Sequence, residues 1–223
     1  MAYILNIETA TKNCSVSIAN NGEIISLQEL NDGDYSHAEK LHEFIANVIK
    51  EAKITVADLK AVAVSKGPGS YTGLRIGVSA AKGLCFALDI PLISIHTLKA
   101  MATAISIEEG VKIPLLDARR MEVYAAVFNK TNDFEKEVWA EIIDENSFEE
   151  FLNNGSVYFL GDGAEKCKEI ITHKNAFFID NKFPSAKEMG KLSYDKYKKS
   201  DIENVAYFEP FYLKDFVVIP SKK

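Results

Sequence analysis

The chain has 223 residues, 47% of them hydrophobic, and carries 32 acidic against 26 basic side chains for a formal charge of −6. That is enough apolar chain for one large domain or two small ones, and its acidic balance counts against binding nucleic acid unaided. Cys14, Cys85 and Cys167 lie far apart without a Cys-x-x-Cys spacing, so neither a disulfide framework nor a zinc site is legible.

In chain order, the first thirty residues read as a three-stranded meander. Tyr3–Ile7 is the first strand. Cys14–Ala19 alternates with period two, Val16 and Ile18 pointing one way and Ser15 and Ser17 the other. Asn20-Asn21-Gly22 is a hairpin signal, and Glu23–Leu30 returns. After the polar loop at 31–34, Ser36 and Glu39 stand at capping-box spacing and open a helix. Its apolar stripe is Leu41, Phe44, Ile45, Val48 and Ile49. Residues 61–65 form a buried strand and 74–88 a helix, ended by Asp89-Ile90-Pro91. A strand over 92–95 and a helix over 97–107, capped by Thr97, complete this half.

Glu108-Glu109-Gly110 marks a boundary between lobes at 1–108 and 109–223. Beyond it, 113–116, 123–128, 138–143, 157–160 and 177–179 read as strands, and 147–152, 164–171 and 185–199 as helices. The basic run at 196–199 is a solvated helix end, and Glu209-Pro210-Phe211-Tyr212-Leu213 an extended aromatic stretch. The pattern is that of two α/β lobes. The start of the chain lacks a basic n-region, and its apolar runs fall short of the ~18 residues that cross a membrane. A cytoplasmic protein is expected.

Residues 65–77, Ser-Lys-Gly-Pro-Gly-Ser-Tyr-Thr-Gly-Leu-Arg-Ile-Gly, join the central strand to its helix. A glycine-rich elbow aims backbone N–H groups over a helix start, which favours an anion. The spacing is neither a Walker A loop nor a Rossmann fingerprint. The elbow therefore holds phosphate, meets another protein, or only turns the chain. Behind it Gly73, Gly77 and Ala81 recur at i, i+4, i+8, a face that lets another backbone approach. The approaching backbone is the protein's own sheet or another subunit.

Three blocks together, 4–11 (Ile-Leu-Asn-Ile-Glu-Thr-Ala-Thr), 65–77 and 117–124 (Asp-Ala-Arg-Arg-Met-Glu-Val-Tyr), followed by Glu209-Pro210-Phe211-Tyr212-Leu213, resemble the TsaB (YeaZ) family over nearly the whole chain. The resemblance implies the two-lobed actin-like ATPase fold (ASKHA, ribonuclease H-like). It also implies an accessory, non-catalytic role in making threonylcarbamoyl-adenosine beside the tRNA anticodon. The implied partners are a homologous catalytic subunit, TsaD, bound as a heterodimer, and an ATPase, TsaE. A homodimer is expected for the isolated chain, and contact with tRNA only through the complex. Docking would use the helices at 36–52 and 73–88, with Leu41, Ile45, Gly73, Arg75, Gly77, Ala80, Ala81 and Leu84 as interface candidates.

The same fold maps nucleotide loops onto Glu8, Thr9 and Lys12, onto Asp117, and onto Gly161 and Gly163. Glu8 stands where the fold has Asp, and its extra methylene would disturb a metal or water that needs close placement. The second loop lacks the glycine that lets backbone approach phosphate. These departures count against ATP, and no cofactor is expected for this subunit. The catalytic sibling carries His-x-x-x-His after the elbow helix, where this chain has Thr97 and Met101. His96 has Ala100 four residues on, and His37, His42 and His173 do not converge. No catalytic residue and no metal site is expected. A phosphotransferase or ATPase of the same fold, and a glycoprotease-type metallopeptidase, are the alternatives.

Overall fold

The computed structural model describes residues 1–31, 33 and 37–214. Two five-stranded mixed sheets form its frame. The first has strand order β3-β2-β1-β4-β5, from β1 (Tyr3–Glu8), β2 (Cys14–Asn20), β3 (Glu23–Leu30), β4 (Leu59–Gly67) and β5 (Leu92–His96). The second has order β10-β9-β6-β7-β8, from β6 (Val111–Asp117), β7 (Glu122–Phe128), β8 (Phe134–Ile142), β9 (Val157–Leu160) and β10 (Ala176–Ile179).

The β2–β3 hairpin closes with Asn21 and Gly22 at φ 52° and 94°, the left-handed backbone that such residues tolerate. β1 then pairs in parallel with β4, and β4 with β5, each reached by a helical crossover. Helices α1 (His37–Glu51) and α2 (Tyr71–Leu88) cover one face of this sheet. Their buried side chains join Leu5, Ile7, Val16, Ile18, Val62 and Val64 in the main core. The expected capping box depends on Ser36, which lies outside the described residues.

The other face of the sheet is covered by α6 (Met189–Lys198), which brings Met189 against Ile4, Ala63 and Ile95. β2 is consequently buried on both faces. Its serine side docks the segment ahead of α6: Ala186 N–H donates to Ser15 Oγ at 3.0 Å, and Ser17 Oγ donates to the Ala186 carbonyl at 2.9 Å. Those bonds hold 185–188 out of the helix expected from 185, so α6 starts at Met189. The boundary at 108/109 separates the two sheets, but the chain from 185 onward returns to the first one.

Helix α3 (Thr97–Ala102) is shorter than the 97–107 expected. Thr103 Oγ1 donates to the Ala100 carbonyl at 2.7 Å, a side-chain bond that competes with continuing the helix. The N-cap is His96 rather than Thr97. Leu98, Met101 and Ala102 of α3 meet Leu116, Ala126 and Phe128 of the second sheet, making one apolar junction between lobes. The second lobe has its own core of Ile113, Leu115, Val123, Val127, Phe159 and Cys167, closed by α4 (Glu149–Leu152) and α5 (Ala164–Lys168). Among the described residues no helix is long and apolar enough to cross a membrane.

Candidate functional site

The loop after β1 carries the first group of expected nucleotide residues, and the structure turns it inward. Glu8 has no exposed surface. Its Oε1 accepts the Ala10 N–H and the Ser65 hydroxyl, both at 2.7 Å, while Oε2 has no hydrogen-bond partner among the described residues. Burial pushes this carboxyl up to about 7. Thr9 Oγ1 donates to the Gly73 carbonyl at 2.8 Å, Ser70 N–H donates to the Ala10 carbonyl at 2.6 Å, and His37 Nε2 meets the Thr11 carbonyl at 2.7 Å. The polar groups of the loop are engaged by α1, α2 and the elbow. Of the three expected residues only Lys12 reaches solvent.

The elbow's glycines serve the same closure. A Cβ on Gly69 would lie 2.5 Å from the Ala10 carbonyl oxygen, one on Gly73 2.2 Å from that of Thr9, and one on Gly77 2.3 Å from Thr9 Oγ1. The stripe Gly73, Gly77 and Ala81 is thus buried against the protein's own loop and sheet. Leu41 and Ile45 point into the same core. These five interface candidates are corrected: their side of the helices faces inward, because the sheet lies there. Arg75, Ala80 and Leu84, by contrast, retain contact with solvent.

The second and third loops meet each other. Gly161, at φ 110°, would place a Cβ 2.2 Å from the Leu115 carbonyl oxygen, and Gly163 one 2.9 Å from the Leu116 carbonyl carbon. Both glycines allow the β9–α5 turn to pack on the end of β6. Asp117 is exposed and paired with Lys166. Asp162 accepts the Asp117 N–H at 3.2 Å, and burial raises its carboxyl to about 6. The Met101 methyl lies 2.5 Å from where a Gly161 Cβ would stand, so this position is filled by core packing, and Thr97 is buried beside it.

The outer faces of α1 and α2 enclose a groove of about 740 Å³. Ala38 and His42 line it from α1, and Tyr71, Thr72, Arg75, Ile76, Ser79, Ala80, Gly83 and Leu84 from α2. Arg75 and Lys82 are the only charged residues of α2, and Lys82 is folded back onto the Ala206 and Phe208 carbonyls at 3.1 and 3.0 Å. A Cβ at Gly83 would meet nothing within 4 Å. A glycine in an open helix interior costs about 0.5–1 kcal/mol relative to alanine with no gain inside this chain. Phe86, on the same helix, is 85% exposed. The sequence reading found Arg75, Ala80 and Leu84 but missed Tyr71, Ile76, Ser79 and Gly83. The helix-interior cost of glycine is the signal in the sequence that points to Gly83.

The comparisons with known proteins agree with one another. A family model described as TsaD, tRNA N6-adenosine threonylcarbamoyltransferase, matches residues 33–218. The TsaB tRNA threonylcarbamoyladenosine biosynthesis protein of Haemophilus influenzae is 32% identical, with 96% of this chain and 94% of the relative covered. Its counterpart from Escherichia coli is 27% identical over 99% of both chains. Among solved structures, YeaZ from Pseudomonas aeruginosa superposes with a TM-score of 0.78 at 21% identity, covering 96% of this chain and 100% of the other. The fold is the actin-like ATPase fold expected from the sequence.

Proposed function

The chain belongs to the TsaB family of tRNA threonylcarbamoyladenosine biosynthesis proteins, and we propose that it serves there as a non-catalytic docking subunit for the homologous transferase, TsaD. The observation that carries this reading is the apolar α1–α2 groove with Gly83 open to solvent. The transferase family model spans both helices, so the partner has the same pair to offer. Two like helix pairs meeting about a pseudo-two-fold axis form a self-complementary contact. The same surface then serves a homodimer when the chain is alone.

The inward loops support a supporting rather than a chemical role. Glu8 and Thr9 are sealed, and the glycines of the elbow and of 161–163 are filled by the protein's own backbone. These residues do not fit a nucleotide triphosphate, and the subunit is proposed to need no cofactor of its own. The ATPase TsaE joins the larger assembly, the transferase carries most tRNA contacts, and the complex works in the cytoplasm. Ala80→Arg combined with Gly83→Arg places two long cations in the groove. Co-elution with the transferase on a sizing column should be lost while the chain stays folded, since Gly83 is exposed and Ala80 is half-buried at the edge of the core. Co-elution that survives the double variant refutes the docking surface.

A further inference from the structure

We propose that the turn between β6 and β7 presents Arg119 and Arg120 as a contact for the phosphate backbone of an RNA bound by the complex. The inference rests on the docking reading above for its setting and on the turn itself for its chemistry.

Arg119 and Arg120 are consecutive non-glycine residues at φ 71° and 51°. Such backbone favours glycine or asparagine, and a strained position that keeps a bulky side chain points to work done by that side chain. The turn is held from beneath. Lys166 Nζ donates to the Arg120 carbonyl at 2.8 Å and to the Glu122 carbonyl at 2.6 Å, and it also pairs with Asp117. Asp117 Oδ1 in turn accepts the Arg119 N–H at 2.9 Å. On the other side Glu122 pairs with Lys214.

The charge arithmetic follows from those bonds. Each acid at the base of the turn, Asp117 and Glu122, is matched by a lysine. Arg119 and Arg120 are exposed, and neither has a carboxylate partner among the described residues. Two guanidiniums are left uncompensated on a chain of net charge −6. Their planar forks match phosphate oxygens with paired donors. Nothing in the turn reads a base edge, so the contact positions rather than specifies.

The turn is also in the right place. Tyr212 packs at a tilt against Tyr71, at the start of α2 and the end of the groove, with ring centroids 4.9 Å apart. Lys214, paired with Glu122, comes two residues later, a span of at most ~7 Å. The turn is therefore tied, through Glu122, Lys214 and Tyr212, to the Tyr71 end of the groove. An RNA carried by a partner seated in the groove is the ligand that the arginines' paired donors fit. A carboxylate of the partner is the competing occupant, and the test separates the two.

Full-length tRNA transcript is titrated into the chain alone and into its mixture with the transferase, at several salt concentrations. Co-elution with the transferase is scored separately. Each neutralised phosphate contributes roughly 0.7–0.9 to the slope of log affinity against log salt. Arg119→Gln with Arg120→Gln should thus lower that slope by about 1.5 and affinity about ten-fold or more, with co-elution unchanged. Arg119→Asn with Arg120→Gly relaxes the backbone, so its melting temperature should hold or rise while tRNA affinity falls equally. Unchanged affinity and slope, alone and in the mixture, overturn the proposal. So does loss of co-elution with the transferase in the absence of tRNA, which assigns the arginines to a protein carboxylate. Wild-type chain that never co-elutes refutes the docking reading, and this result is distinct from wild-type co-elution with an unchanged salt slope in the arginine variants, which refutes the arginine contact alone.

Discussion

Glu8 shows how burial changes the use of a carboxyl group. Its carboxyl is turned back onto Ala10 N–H and Ser65 Oγ and shut away from solvent. The folded protein keeps the proton up to about pH 7, whereas the ordinary value is 4.5. Between those values folding takes up a proton, so the contribution of Glu8 falls as pH rises, by about 3 kcal/mol in full. Glu8→Gln retains the acceptor oxygen and removes the titration. The variant should match wild type in melting temperature near pH 4, below the ordinary value of 4.5, and exceed it at pH 8. His96, pushed down to about 4 by burial and by Lys66 and Lys99, shifts stability the opposite way, and equally in both proteins. The difference between the two melting curves isolates Glu8, and an identical pH dependence would refute the buried, protonated carboxyl.

At the scale of the element, α2 was legible in the sequence as a helix with small or apolar residues on two sides, but not as to which side the sheet covers. Its inner side is Gly73, Leu74, Gly77, Val78, Ala81 and Cys85, and its outer side Ile76, Ser79, Ala80, Gly83 and Leu84. Both sides are small or apolar, so periodicity fixes their relative angle without saying where the sheet lies. The Thr9 loop, sixty-odd residues away in sequence, makes that choice through Gly73 and Gly77. Gly77→Ala drives a methyl into Thr9 Oγ1, and such overpacking costs about 1–3 kcal/mol. Gly83→Ala fills open space and should gain about 0.5–1 kcal/mol from helix propensity. Chemical denaturation of the two variants should move in opposite directions. A Gly77→Ala protein as stable as wild type would mean that the stripe is not packed inside.

Across the whole molecule, the last described segment lies along the first sheet and reaches the second lobe through Lys214 on Glu122. Glu203 N–H donates to the Leu92 carbonyl at 2.8 Å and Phe211 N–H to the Lys66 carbonyl at 2.7 Å. Phe211 lies against His96, which is itself edge-on to Phe134 of the second sheet. Each aromatic pair of this kind contributes about 0.5–1.5 kcal/mol beyond its buried area. Phe211→Ala with Tyr212→Ala should therefore lower unfolding stability by about 1–3 kcal/mol in urea. It should also raise amide exchange at Ser70, within the elbow. Unaltered exchange there would show that the strap carries no load.

Local pattern alone determined the strands of the meander, the hairpin at Asn21-Gly22, the two-lobed α/β order and the family resemblance, because turn chemistry and apolar period act over a few residues. Fully buried Lys112, which reaches the Ile105 carbonyl at 3.2 Å and Asn132, had no such signal: its partners meet only when the lobe closes. The return of α6 to the first sheet, the sealing of Glu8, and the assignment of one α2 face to the core and the other to solvent were decided by tertiary structure. Each depends on segments distant in sequence competing for the same buried surface.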